Sequence, residues 1–141
     1  MKIKFQKINP EVKLPSYSYD TDAGMDLYAL EEVIFQPGEQ RIIPTGLAID
    51  LPKGYAALFW DKSSIASQKL LKSLGGVIDS GYSGEMKIIL INLSNQVQII
   101  QKGAKFIQLL IQKIEHAQIE VVDELVSSGR GKGGFGSTGS F

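Results

Sequence analysis

The chain has no cysteine and a single histidine in 141 residues. Without cysteine there are no disulfides and no cysteine-based zinc sites, and nothing suggests a secreted, oxidising setting. The lone His116 lies between apparent strands and reads as a surface or edge residue. Ser–His–Asp and Cys–His nucleophile sets are therefore not expected, nor is a histidine metal cluster. Neither sign of charge is in excess, with 15 Lys and Arg against 15 Asp and Glu. Bulk electrostatics thus points to neither a nucleic acid nor a membrane surface. No apolar run is long enough to cross a bilayer. The N-terminal "MKIKFQKINP" alternates and is charged, without the apolar stretch of a signal peptide. A cytoplasmic protein is the expectation.

What is present suits one domain of ordinary size, with 43% apolar residues to build a core. The apolar runs are short: "KIKFQKI", "EVIFQ", "QRIIPTGLAIDL", "YAALFW", "EMKIILINL", "QVQIIQ", "KFIQLLIQKI" and "AQIEVVDEL". Pro37-Gly38, Pro52-Lys53-Gly54, Ser94-Asn95 and Lys102-Gly103 punctuate them as turns. Many short strands predict an all-β sandwich or barrel. "IILINL" and "FIQLLI" are apolar at consecutive positions, which predicts cover on both strand faces, either by a second subunit, the expectation here, or by a thick single core. "SSIASQKLL" (Ser63 to Leu71) predicts one short helix with two candidate N-cap serines.

Four stretches could carry chemistry. In "LGGVIDSGYSGEMKIIL", Asp79 follows apolar Val77-Ile78 and precedes a loop with Gly81 and Gly84. Such an acid either faces a ligand, which Gly75-Gly76 would let the backbone approach closely, or caps its own turn. Tyr82 offers a flat apolar face. In "DAGMDLYA", Asp22 and Asp26 could bind a metal or orient a water, or belong to a solvated turn. In "WDKSSIAS", a lysine and serines at a helix start could receive phosphate or simply cap the helix. The end of the chain, "SSGRGKGGFGSTGSF", holds six of the 15 glycines between Gly129 and Gly139. It cannot bury enough apolar area to fold alone, so it is expected to be a flexible Gly-rich segment, 127–141, after a β domain spanning 1–126. It is not a P-loop, since no "GK[ST]" occurs. Its backbone, Arg130, Ser137 and Thr138 could still wrap a phosphate chain, and Phe135 could stack on a flat ring.

Together these stretches resemble the trimeric dUTP diphosphatase (dUTPase) family. The resemblance runs in family order through "DAGMDLYA", "DKSSIAS", "GGVIDSGYSGEMKI", "GAKFIQLLI" and "GRGKGGFGSTG". It implies a β-jelly roll that assembles as a homotrimer with shared active sites. It also implies hydrolysis of dUTP to dUMP and pyrophosphate with Mg²⁺, which keeps uracil out of DNA and supplies dUMP for thymidylate synthesis. Asp79 matches the acid that activates the attacking water, and Gln108 the residue that helps hold it. Asp26 matches the acid of the first motif. Ser63 matches the serine near the scissile bridging oxygen, where it can stabilise developing charge. Gly76, Val77, Ile78 and Asp79 are expected to read uracil largely through backbone groups, with Lys87 lining the base pocket. Tyr82 matches the tyrosine packed on the deoxyribose. Phe135, next to Gly136, matches the aromatic that stacks on uracil, and Arg130, Ser137 and Thr138 match γ-phosphate contacts. The metal is expected on the phosphates and water, with no protein ligands.

One motif departs from the family. The second usually reads Pro-Arg-Ser-Gly, and here it is Asp61-Lys62-Ser63-Ser64. Lysine keeps the charge at this phosphate site but loses the bidentate fork. Two rival readings share the fold. A dCTP deaminase would need a glutamate on the strand after Tyr82, which reads "KIILINL" without an acid. A nucleotide-sensing regulator would be favoured by an inserted arm, and this chain is compact.

Overall fold

Alternating runs separated by turn residues fold here into strands, joined by one helix among the described residues. The computed structural model describes residues 1–126 and Gly131. In chain order the elements are β1 (Lys4–Lys7), β2 (Met25–Tyr28), β3 (Val33–Phe35), β4 (Gln40–Pro44), β5 (Leu47–Asp50) and β6 (Tyr55–Asp61). They continue with α1 (Ser63–Lys69), β7 (Leu71–Leu74), β8 (Val77–Asp79), β9 (Lys87–Asn92), β10 (Gln98–Ile100) and β11 (Lys105–Lys113). The all-β jelly-roll-like fold with one short helix is as the sequence predicted. The Gly-rich segment 127–141 lies outside the described residues, apart from Gly131.

Every ladder is antiparallel. The order β2-β11-β6-β8 forms one sheet and β4-β9-β7 a second, while β1 pairs with β5 and β10 with β3. The core fills the space between them with Leu27, Phe35, Leu47, Leu71, Met86, Ile88, Leu90, Phe106, Ile107 and Leu109, all essentially without solvent contact. The side-chain period of two then fixes which residues of the four-stranded sheet point outward.

Two expectations change. "QRIIPTGLAIDL" is two strands, because the chain turns at Thr45-Gly46, where Gly46 takes φ +69°. The expected strand in "AQIEVVDEL" is absent, and Ile119, Val121 and Leu125 stand exposed. That segment alternates as a half-buried strand should, but pairs with no strand among the described residues. The outer faces of β9 and β11 are half-buried within the single chain.

Candidate active site

A one-residue irregularity in β11 decides what faces Asp26. Lys105 pairs with Tyr28, but Ile107 pairs with Leu27, so Phe106 is the extra residue of a bulge. Phe106 and Ile107 are both buried in consequence, and Gln108 comes opposite Asp26. Without the extra residue, Ile107 would occupy that place. Gly24 lets β2 lie close to β11: a Cβ there would sit 2.8 Å from Leu110 Cδ1 and 3.2 Å from Gln108 Cβ.

Asp26 is 3% exposed and fully engaged. Lys62 Nζ donates to Oδ1 at 2.8 Å, and Lys105 Nζ lies 2.9 Å from Oδ2. Ser18 Oγ donates to Oδ2 at 2.9 Å. Burial alone would raise the carboxyl's pKa, but the hydrogen bonds from Lys105, Lys62 and Ser18 outweigh it and hold the pKa below the ordinary value. The same contact with Asp26 raises the pKa of Lys105. Lys105 was not singled out from the sequence, although it stands in "GAKFIQ"; a cation three residues before Gln108, across the bulge, was the available signal. Asp22 does not join the cluster. Its Oδ2 accepts the Ser18 and Tyr19 N–H groups at 3.1 and 2.9 Å, so it belongs to a turn.

Lys62 itself is the N-cap of α1, in extended conformation and without a side-chain cap bond. Ser63 and Ser64 are the exposed first residues of the helix, so neither serine is the N-cap that was expected. Extended backbone is ordinary at an N-cap, and the Lys62 ammonium is engaged with Asp26 instead of the helix end. Just before it, Asp61 is tied to β7: its Oδ1 accepts the Ser73 N–H at 2.8 Å, and its other oxygen pairs with Lys72. Burial opposes ionisation there too, but the bonds from Lys72 and Ser73 hold its pKa low.

A second group lies at the far edge of the same sheet. Gly75 and Gly76 take φ +67° and +103°, a region that L side chains avoid, and carry the chain from one sheet to the other. The Gly76 carbonyl accepts the Phe59 N–H at 2.8 Å, and a Cβ on Gly76 would lie 3.2 Å from Phe59 Cβ. The "GGVID" segment does not form a self-contained hairpin with the strand that follows it. Its strand β8 pairs with β6, while β9 belongs to the other sheet. Val77, Ile78, Asp79, Tyr82 and Lys87 line one cavity of about 200 Å³. The Asp79 carboxylate is exposed and accepts no hydrogen bond among the described residues, so it does not cap its turn. The turn is closed by backbone, with Tyr82 N–H donating to the Asp79 carbonyl at 3.2 Å.

Register puts both groups on the outer face. Asp26, Gln108 and Trp60 form one cross-strand row, and Asp79 stands opposite Ala56, four residues further along β6. At about 3.3 Å per residue and 4.8 Å per strand, Asp79 is roughly 16 Å from Gln108. Side chains stand roughly perpendicular to a sheet, so the two groups keep that spacing. A single water, reaching about 2.8 Å to each partner, cannot touch both within one chain. Arg130, Phe135, Gly136, Ser137 and Thr138 lie outside the described residues.

Fold and site define an all-β jelly-roll protein with a carboxylate, unpaired among the described residues, in the lining of a cavity, and a cation-bound acid elsewhere on the same face. The family model for dUTPase matches residues 10–139. The deoxyuridine 5'-triphosphate nucleotidohydrolase of Clostridioides difficile is 43% identical over 139 residues, covering 97% of each chain. Among solved structures, a variant Staphylococcus bacteriophage 80alpha dUTPase with dUpNHpp superposes with a TM-score of 0.91 at 27% identity, covering 98% of each chain. A phage phi11 dUTPase variant of S. aureus, described with a coordinated structural Mg(II) ion, has a TM-score of 0.83 at 25% identity, over 90% of this chain and 100% of its own. The chain belongs to the dUTPase family.

Proposed function

We infer that this chain is a dUTP diphosphatase, hydrolysing dUTP to dUMP and pyrophosphate. One observation carries the assignment of roles: Val77, Ile78, Asp79, Tyr82 and Lys87, all from the "GGVIDSGYSGEMKI" stretch, line a single cavity, and the Asp79 carboxylate there is unpaired among the described residues. Asp79 takes a proton from water as that water attacks the α-phosphorus, and pyrophosphate leaves. An acid held in no other polar contact among the described residues suits this task. Gln108 orients the water. Asp26, kept ionised by its two lysines, holds Lys62 in place near the phosphates. Ser63 and Ser64 meet the phosphate chain, with Ser63 at the bridging oxygen. The Gly76–Asp79 backbone reads the uracil edge, Lys87 lines its pocket, and Tyr82 packs on the deoxyribose where a 2′-hydroxyl would need space.

The roughly 16 Å between Asp79 and Gln108 supports a site made by more than one chain. So do the half-covered outer sheet face and the exposed apolar residues Ile119, Val121 and Leu125. We read the assembly as a homotrimer in which the Asp79 group of one chain meets the Asp26–Gln108 group of another. The 127–141 segment then closes over the site, with Arg130, Ser137 and Thr138 on the γ-phosphate and Phe135, beside Gly136, on uracil.

Among the described residues, no group of three or more His, Cys, Asp or Glu gathers as metal ligands. The acids on the outer face are either ion-paired, as Asp26 is, or single, as Asp79 is. That donor set fits Mg²⁺ carried on the triphosphate, with Lys62, Ser63 and Ser64 holding the phosphates. Bound there, the cation would neutralise charge on the leaving pyrophosphate. A cytoplasmic enzyme of this kind keeps uracil out of DNA and provides dUMP for thymidylate synthesis. Pyrophosphate release from dUTP, dTTP, UTP and dCTP, measured in parallel, tests the reading. Release from dUTP should dominate, and equal or greater release from any of the other three would overturn it.

A further inference from the structure

We propose that Gly84 sets the sugar selectivity of the site by fixing the Tyr82 ring. The inference rests on the reading of Tyr82 as the wall against the deoxyribose. A Cβ built on Gly84 would lie 2.5 Å from Tyr82 Oη, 2.7 Å from Cζ and 3.1 Å from Cε2. Unbonded carbons pack at about 3.5–4.0 Å, so the ring rests directly on the bare backbone of Gly84. The backbone of Gly84 itself is not in the left-handed region, so the need for glycine here is steric and not conformational.

The ring is also tethered at its tip. Tyr82 Oη donates to the Glu85 carbonyl at 3.0 Å. That carbonyl is held in turn by the β4–β5 turn. Glu85 Oε1 accepts the Gly46 N–H at 2.8 Å, Met86 N–H donates to the Leu47 carbonyl at 2.8 Å, and Thr45 N–H donates to the Met86 carbonyl at 3.2 Å. Thr45 is itself buried, which anchors the turn in the core. Gly84 is thus a floor and the Glu85 carbonyl a stop, and together they hold a side chain that is otherwise half exposed. A methyl group at 84 must displace something. The ring tip is the mobile party, since Tyr82 is 47% exposed and the atoms in the way are the far end of its side chain. Gly84→Ala should therefore leave stability almost intact while it swings the sugar wall away.

The test compares kcat/KM for dUTP and UTP in wild type, Gly84→Ala, Tyr82→Ala, Tyr82→Phe and the Gly84→Ala/Tyr82→Ala double variant. Gly84→Ala should lower the dUTP preference roughly tenfold or more, a loss of the size a displaced pocket wall produces. Its Tm should stay within about 3 °C of wild type. Tyr82→Phe keeps the ring but loses the tether, and should give an intermediate loss. In the Tyr82→Ala background, Gly84→Ala should change the preference no further, because the two act through one ring. Unchanged preference in a folded Gly84→Ala enzyme, alongside a loss in Tyr82→Ala, would overturn the role of Gly84 and spare that of Tyr82. Unchanged preference in Tyr82→Ala would overturn both. If Gly84→Ala does not fold, Tyr82→Phe decides, and wild-type preference there would count against the fixed ring.

Discussion

Asp26 and Asp79 stand on one outer sheet face, yet their surroundings set them to different work. Asp26 is buried under two ammonium groups and a hydroxyl, whereas Asp79 meets solvent with its oxygens unpaired among the described residues. Asp79→Asn keeps the shape but cannot accept a proton. Turnover of dUTP should fall roughly a hundredfold or more, with KM little changed and the fold intact by circular dichroism. Near wild-type turnover would remove Asp79 as the base. Asp26 instead writes itself into stability. Its folded pKa lies below the ordinary 3.8, so it binds fewer protons folded than unfolded. Its stabilisation is complete above that ordinary value and is lost as pH falls through the lower folded one. Asp26→Asn should melt roughly 5 °C or more below wild type at pH 7. The gap should narrow as both are titrated down through pH 3, and a gap independent of pH would show that the charge on Asp26 contributes nothing.

At the scale of elements, β2 and β11 must approach closely for Asp26 and Gln108 to share a row, and Gly24 is what allows it. Gly24→Ala would press a methyl against Leu110 Cδ1 and Gln108 Cβ. Such overpacking typically costs about 1–3 kcal/mol and should lower kcat by displacing Gln108. Adding Leu110→Ala opens the nearer contact and should restore part of the activity; no recovery would place the strain elsewhere. The same elements show what the sequence could reveal. Runs such as "YAALFW" and "KFIQLLIQKI" announce β6 and β11 because local alternation and turn residues are chain-local signals. The bulge at Phe106 was hidden, since two adjacent apolar residues fit a covered strand as readily as a bulge. Strand β2 was hidden inside "DAGMDLYA", whose acids and glycine look like a turn until Lys62 and Lys105, far off in sequence, neutralise Asp26. The reverse failure is "AQIEVVDEL", whose alternation is genuine but which pairs with no strand among the described residues. Among the site candidates, "GGVID" was legible as a backbone-exposing run because of its paired glycines. The pairing of β8 with β6 was not, since it depends on which sheet the chain enters.

For the molecule as a whole, the decisive feature is that the two functional groups face the same way without meeting. Chains carrying Asp79→Asn and chains carrying Gln108→Leu should each be nearly inactive. Unfolded and refolded together in equal amounts, they should recover about a quarter of wild-type activity, because random mixing pairs an intact Asp79 with an intact Gln108 in that share of sites. Native mass spectrometry would verify that mixed assemblies formed. A silent mixture would mean that each site is completed within one chain, and the closing of that gap would need some other explanation.

The gap between Asp79 and Gln108 also bears on how catalysis scales with abundance. A site drawn from two chains gives a rate that is more than first order in protein below the assembly constant. For such a site, twofold dilution there would remove more than half the activity, and newly made chains would be silent until they found one another. Specific activity measured across a dilution series therefore reports the association equilibrium itself, without any separate probe of size.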